Sequence, residues 1–159
     1  MLIGIISDTH DNLPVIHKAV AIFNERKVGH VIHAGDFCSP FTFRALKHLQ
    51  CDFTGIYGNN DGERVLLQKL SKGRIFTQPY ILELAGKKVV IMHEQHVVDA
   101  LAVSAHFDLI VYGHTHVPDI RKQGNTLIVN PGELSGWLYG KSTLAIADLS
   151  SLTAELIEL

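Results

Sequence analysis

The sequence predicts an α/β fold of two packed mixed β-sheets with helices outside them, a four-layer α/β/β/α sandwich formed by residues 1–159 as one domain. Three observations carry this expectation. The first half repeats a strand, loop, helix unit three times; the second half is mostly strands; and 159 residues, 47% of them apolar, suit one core at roughly 150 residues per domain. A chain of this size buries roughly 68–70% of its unfolded surface, so it needs neither disulfides nor a structural metal to fold.

Leu2 to Ser7 is a short apolar run of the kind buried between layers, and it ends in the loop Asp8-Thr9-His10-Asp11-Asn12. With Asn12 as N-cap and Pro14 in the first turn, Leu13, Ile16, Val20 and Phe23 recur at spacings of three and four. This is the mark of an amphipathic helix running to about Lys27. The unit repeats as strand His30 to Ala34, loop Gly35-Asp36 and helix Pro40 to Leu49. It repeats again as strand Phe53 to Tyr57, loop Gly58 to Gly62 and helix Glu63 to Lys72. Tyr80 to Leu84 and Lys87 to Met92 flank Ala85-Gly86 as an antiparallel hairpin. Val97 to His106 is then a helix and Leu109 to Tyr112 a strand. Ile120 to Lys122 and Thr126 to Val129 flank the tight-turn pair Gly124-Asn125, and Leu144 to Asp148 and Ala154 to Ile157 flank Ser150-Ser151.

Composition excludes several classes of function. Fourteen Lys and Arg against 16 Asp and Glu give a formal charge of -2, with no run of like charge to attract nucleic acid or an anionic membrane. The charged fraction of 19% and a mean hydropathy of +0.17 argue against disorder. No apolar run approaches the roughly 20 residues of a membrane span, and no basic leader precedes the first strand, so the expected compartment is the cytoplasm. Cys38 and Cys51 match no zinc or redox spacing and are expected to be buried, reduced thiols. The one excess is histidine, ten in all, and it directs attention to metal ligation.

Potential ligands follow directly after the predicted strands: Asp8 and His10, then Asp36, then Asn59, then His93, then His114 and His116. In open α/β sheets ligands bind at the carboxyl ends of strands, so parallel strands would gather these groups at one edge although they span more than 100 residues of sequence. Singly, each fragment is ordinary turn or cap chemistry; together they carry the signal. In this order, Asp8-x-His10, Gly35-Asp36, Gly58-Asn59, His93 and Gly113-His114-x-His116 resemble the calcineurin-like metallophosphoesterase family. The resemblance is greatest to its small bacterial and archaeal phosphodiesterases, which add no domain to the catalytic core. The Asn130-Pro131-Gly132 turn is a further point of likeness.

The resemblance implies a phosphodiesterase with two divalent ions. Asp8, His10, Asp36 and His116 would hold one, and Asp36 would bridge to a second held by Asn59, His93 and His114. Mixed oxygen and nitrogen ligands without thiolate suit transition metals rather than calcium, manganese first, with nickel, cobalt, iron or zinc as alternatives. Two such ions with two carboxylates leave a local charge of about +2, a field suited to a phosphodiester monoanion. They also make a nucleophile available from water at neutral pH, so ester hydrolysis is the expected reaction. The expected partner is a small phosphodiester, with homo-oligomers allowed and no nucleic-acid or membrane signal. His17, His30, His48 and His106 fall on or beside regular elements and are expected to be packed or exposed. His33 and His96 are candidates for supporting the ligands.

One departure from the family pattern bears on mechanism. Where many members have His after Gly-Asn, as a candidate acid for the leaving oxygen, this chain has Gly58-Asn59-Asn60-Asp61. Asn60 has no titrating proton, and loss of a general acid typically costs about 10²–10⁴-fold in rate. Good leaving groups are therefore expected to be preferred, or His96 to serve as the catalytic acid, while Asp61 orients the loop. Glu133, where the family often has Ser, adds a negative charge beside an anion site if it points inward. Trp137 and Tyr139 either stack on a substrate base or cover the core. The alternative to an enzyme is a catalytically weak protein-binding scaffold, as in the phosphoesterase-like subunit of the retromer complex. A nuclease is the third reading, disfavoured for want of a basic stripe.

Overall fold

The computed structural model describes all 159 residues. In chain order its elements are β1 (Leu2–Ile6), α1 (Leu13–Glu25), β2 (His30–His33), α2 (Phe43–Leu46), β3 (Asp52–Ile56), α3 (Arg64–Leu70), β4 (Ile75–Phe76), β5 (Tyr80–Leu84), β6 (Lys87–Ile91), α4 (Val98–Val103), β7 (Leu109–Val111), β8 (Asp119–Gln123), β9 (Thr126–Asn130), β10 (Thr143–Asp148) and β11 (Thr153–Glu158). One sheet has the order β11-β10-β1-β2-β3-β4 and the other β5-β6-β7-β9-β8. Within the first, β1 to β4 run parallel, and β10 and β11 are antiparallel. Within the second, β6, β7 and β9 are parallel between antiparallel edges. No helix is long and apolar enough to cross a membrane.

Strand alternation sets the layers. Ile3, Ile5, Ile32 and Ile56 of the first sheet point inward onto Val89, Ile91, Leu109, Val111, Leu127 and Val129 of the second, forming the core between the sheets. Ile6, Val31 and Phe53 face the other way, onto Ile16, Val20 and Phe23 of α1, Phe43 and Leu46 of α2, and Leu67 of α3. Gly4 has no side chain on that outer face because the Phe23 ring occupies the space a Cβ would need. On the far side, Val90, Ile110 and Ile128 pack against Val98 and Ala102 of α4. The four-layer α/β/β/α sandwich expected from the sequence is the architecture observed.

Several elements differ from their expected bounds. The predicted helix Pro40 to Leu49 is a 3₁₀ turn, Pro40–Thr42, leading into the single turn of α2, with Ser39 Oγ accepting from Phe41 N at 3.3 Å. Glu63 precedes α3 in a left-handed conformation (φ 41°), which delays the helix to Arg64. The two-residue strand β4 is too short to show a period and was not expected; it exists because β3 offers a free parallel edge at Gly55 and Ile56. Asn12 stands at the N-cap of α1 but does not cap it, since its Nδ2 donates to Ser135 O at 2.7 Å. Cys38 and Cys51 are free thiols, half-buried rather than buried.

His30 and His33 lie in β2, surrounded by strands. His17, His48 and His106 are exposed, as their positions suggested. His30 is buried with Nε2 2.9 Å from Thr54 Oγ1, and burial pushes its imidazole below the ordinary value. In the unfolded chain the same group titrates near about 6.5, so below that pH the unfolded state binds the extra proton. Stability from this group is therefore intact above about pH 6.5 and is lost as pH falls, at up to about 1.4 kcal/mol per pH unit. Denaturant unfolding of metal-free protein at a series of pH values between roughly 7.5 and 5.5 should show a shallower acid loss for His30→Gln than for wild type. Equal slopes would remove His30 from the account.

Candidate metal centre

The seven residues picked out by strand position converge where the carboxyl edges of the two sheets meet. Asp8 and His10 follow β1, Asp36 follows β2, Asn59 follows β3, His93 follows β6, and His114 and His116 follow β7. Ligand-type atoms of Asp8, His10 and His116 lie within 4.8 Å of one another, as do those of Asp8, Asp36 and His93. Asp36 faces both halves: Oδ2 is 3.7 Å from His10 Nε2, and Oδ1 is 3.5 Å from His93 Nε2. Asn59 and His114 complete the cluster, with Asn59 Oδ1 at 2.9 Å from both His93 Nε2 and His114 Nδ1.

Local backbone turns these side chains inward. Asp8, His10, Asp36, His114 and His116 all have left-handed φ, from 39° to 65°. Such residues cost of order 1–3 kcal/mol each and persist where the surroundings over-determine them. Here a ladder of loop bonds does so. Asp8 N donates to Gly35 O at 3.0 Å, Thr9 N to Asp36 O at 3.0 Å, and Gly113 N to His93 O at 3.1 Å. The three glycines preceding Asp36, Asn59 and His114 have a common reason. A Cβ on Gly58 would overlap the Asp36 carboxylate, one on Gly113 would overlap Ser7 and Asp8, and one on Gly35 would stand 2.6 Å from His93 Nδ1.

The imidazoles are aimed by contacts at their outward nitrogens. His10 Nδ1 is 3.0 Å from Cys38 Sγ, His93 Nδ1 is 2.7 Å from Ala34 O, and His116 Nδ1 is 3.1 Å from Glu133 Oε2. In each case Nε2 is left facing the carboxylates, the arrangement typical of metal-ligating histidine. The Cys38 thiol, pushed up to about 12 by burial and the surrounding carboxylates, stays neutral. His33, buried, has Nε2 3.0 Å from Thr9 Oγ1 and accepts from Gly35 N at 3.2 Å, so it ties the first two ligand loops together.

Asp36 is held from beside the cluster by Asn60, whose N–H and Nδ2 donate to its two oxygens at 2.8 and 2.7 Å. Burial pushes Asp36 up, but the His93 imidazole and these Asn60 bonds outweigh it and leave the carboxyl well below its usual range. Asp61 accepts from Asp36 N, Cys38 N and Gly58 N at 3.0, 2.8 and 2.7 Å, and thereby orients both loops. His96, by contrast, is exposed in the segment before α4 and makes no hydrogen bond to any of these groups. The direction of Glu133, open in the sequence, is inward: it is 1% exposed. Its partners, together with the contact of Cys38 to His10, are functional features that strand-end spacing did not signal.

The donor set fits a metal on an observation internal to the chain. Asp8 Oδ1 and His10 Nε2 are buried and have no hydrogen-bond partner, and burial pushes the Asp8 carboxyl above its ordinary value. An unpartnered buried carboxylate oxygen beside imidazole lone pairs is satisfied by a cation. Gly113→Ala would push on Asp8 without changing any ligand, and should weaken divalent-ion binding by about 10–100-fold, as changes behind a ligand do. Calorimetric titration of metal-free protein with zinc or manganese measures this, with circular dichroism as the control for folding. Unaltered affinity would mean that the missing Cβ is irrelevant to the ligands.

Comparison with known proteins agrees with this geometry. The family model described as the calcineurin-like phosphoesterase superfamily domain matches residues 1–152. A phosphodiesterase of Methanocaldococcus jannaschii is 40% identical over 154 residues, covering 93% of each chain. A probable metallophosphoesterase of Methanothermobacter thermautotrophicus is 30% identical over 137 residues, covering 83% of this chain and 76% of its own length. Among solved structures, an archaeal phosphodiesterase superposes with a TM-score of 0.92 at 38% identity over the whole of both chains. A Vps29 variant from Entamoeba histolytica superposes with a TM-score of 0.74 at 17% identity, covering 100% of this chain and 99% of its own, a likeness of fold alone. Strand-end ligands, sheet order and sequence together make this chain a member of the calcineurin-like phosphoesterase superfamily.

Proposed function

We propose that the chain is a metal-dependent phosphodiesterase acting on a small phosphodiester. The observation that carries this reading is the convergence of seven oxygen and nitrogen ligands on one edge, with Asp8 Oδ1 and His10 Nε2 buried and unpartnered. Asp8, His10, Asp36 and His116 would hold one divalent ion, and Asp36, Asn59, His93 and His114 would hold the second. Manganese is the first choice, on the mixed hard and borderline character of the set. Bound there, the ions supply a nucleophile from water near neutral pH and offset charge developing on the phosphate oxygens.

The protein's own groups do the positioning. Asn60 fixes the plane of Asp36 through both carboxylate oxygens, so the residue that replaces a histidine orients a shared ligand rather than moving a proton. With Asn60 so engaged and His96 exposed without a hydrogen bond to the cluster, neither of the two residues considered for the acid is held in place for that role. The leaving group must then depart with little proton assistance, which favours acidic alcohols.

Two assays test this. Hydrolysis of bis(4-nitrophenyl) phosphate should be stimulated by manganese, removed by a chelator, and reduced at least about 100-fold by Asp36→Ala. Indistinguishable wild-type and variant rates would sink the enzyme reading. Along a series of aryl methyl phosphodiesters, the rate should fall by about 100-fold or more from the 4-nitrophenyl to the phenyl ester, the size of a missing acid. The same steepness is expected in His96→Ala; a steeper dependence in that variant would identify His96 as the acid after all.

A further inference from the structure

The loop after the Asn130-Pro131-Gly132 turn has an inverted arrangement of charge and apolar surface. Its one carboxylate, Glu133, is buried, while its largest apolar side chains are not: Trp137 is 65%, Leu138 66% and Tyr139 60% exposed. The expectation that the two aromatics cover the core is therefore incorrect. They are held out of the core because Glu133 gathers the backbone beneath them. Its oxygens accept from Trp137 N at 3.0 Å, Leu138 N at 3.0 Å, Tyr139 N at 2.7 Å and Ser135 Oγ at 2.8 Å, as well as lying against His116.

This loop adjoins the metal centre on two sides. Trp137 Nε1 donates to His10 O at 3.3 Å, and beside it Tyr139 lines, with His116, Val117, Pro118, Lys141 and Thr143, a cleft of about 220 Å³ whose open surface is mostly apolar. About 150 Å³ is enough to hold a benzene ring, so the cleft admits one aromatic ring system. Two large exposed aromatics whose backbone is pinned by Glu133, beside His10 and His116 of the candidate metal centre, offer ring faces on which a planar group stacks.

We infer that Trp137 and Tyr139, with the Val117–Pro118 wall, form a subsite for a planar aromatic ester substituent of the phosphodiester. The inference rests on the phosphodiesterase reading for its ligand, and it adds what that reading lacks, a substrate class. Glu133 is the positioning residue of the subsite: it fixes the shelf and the His116 imidazole with one carboxylate, so that an aromatic group on the shelf is held in register with the phosphate. Val117, 51% exposed beside His116, gives the ring an apolar edge.

Binding of phosphonates, whose carbon–phosphorus bond the enzyme cannot hydrolyse, tests the subsite without turnover. Calorimetric titration of zinc-loaded wild type should give phenylphosphonate binding about tenfold tighter than methylphosphonate, the lower end of an aromatic stacking contact. Trp137→Ala and Tyr139→Ala should each reduce that ratio to about twofold. Both side chains are exposed and the Glu133 bonds come from backbone N–H groups, so the variants keep the fold, with bound zinc per chain as the control. A wild-type ratio near one, no detectable phenylphosphonate binding, or an undiminished ratio in both variants overturns the inference. So does a concentration-dependent dimer that Trp137→Ala disperses while leaving the ratio unchanged, which assigns the shelf to self-association. Loss of manganese-stimulated hydrolysis with phenyl preference intact would sink the phosphodiesterase reading alone.

Discussion

Two carboxylates, Asp8 and Asp36, are buried within reach of each other at the meeting edge of the sheets, and the rest of the structure answers to that constraint. Removing a carboxylate from water costs several kcal/mol unless it is paired and hydrogen-bonded. Asp36 is compensated within the chain, by Asn60 on both oxygens and by His93. Asp8 is compensated less fully: Oδ2 accepts from His114 N at 3.1 Å, while Oδ1 makes no hydrogen bond and has only the His116 imidazole beside it, with Nε2 at 3.4 Å. The asymmetry identifies where positive charge is wanted. A chain that kept Asp8 in this position only for stability would be better served by an apolar residue, so the residual cost points to a role for Asp8 in the candidate metal centre.

Holding such a site requires rigidity that strand ends alone do not supply. Five of the candidate ligands occupy left-handed backbone, and the bonds that keep them there run between loops that are distant in sequence. Leu134 N donates to Ser7 O and Ser135 N to Asp8 O, each at 3.0 Å, so the last loop is zipped onto the first. Asn130 extends the network, with Nδ2 donating to Gly113 O and to Thr115 Oγ1, each at 3.0 Å. The Asn-Pro-Gly turn thus anchors the Gly113–His116 loop from beneath. The glycines complete the device, because each removes a Cβ where a ligand of another loop must pass. Sheet packing sets the distance between the two halves, and these loops set the aim.

What was legible in the sequence follows from this division. Candidate ligands are local events at strand ends, so the convergence of Asp8, His10, Asp36, Asn59, His93, His114 and His116 could be anticipated by reading apolar runs and what comes next. The apolar run Leu2 to Ser7 likewise marks a strand buried on both sides, but with Ile on both faces it does not encode which one meets the second sheet. Contacts between loops leave no periodic trace. Asn12 reads as a cap because nothing near it reports that Ser135 O competes for its side chain, 123 residues away. The Pro40 to Leu49 segment reads as one helix because its apolar spacing is helical, whereas Pro40 and the Ser39 cap tighten its first turn into 3₁₀ form. Tryptophan and tyrosine in an apolar sequence default to the core, and only the burial of Glu133 beneath them reverses that expectation.

Glu133 also resolves an electrostatic objection to an anion site. A carboxylate beside a phosphate would repel it, yet this one presents no free lone pair outward: Ser135, Trp137, Leu138, Tyr139 and His116 occupy its oxygens. Burial pushes the group up, but those donors outweigh it and hold it below the usual carboxylate range, so its ionised form is stabilised by the loop itself. His116 Nδ1 lies against one of these oxygens at 3.1 Å, which leaves its Nε2 facing Asp8 at 3.4 Å. A serine at this position could cap the turn but could not accept from three successive backbone N–H groups and an imidazole at once. Glu133, where the family often has Ser, therefore adds an organising centre to the loop, its charge directed at donors of that loop.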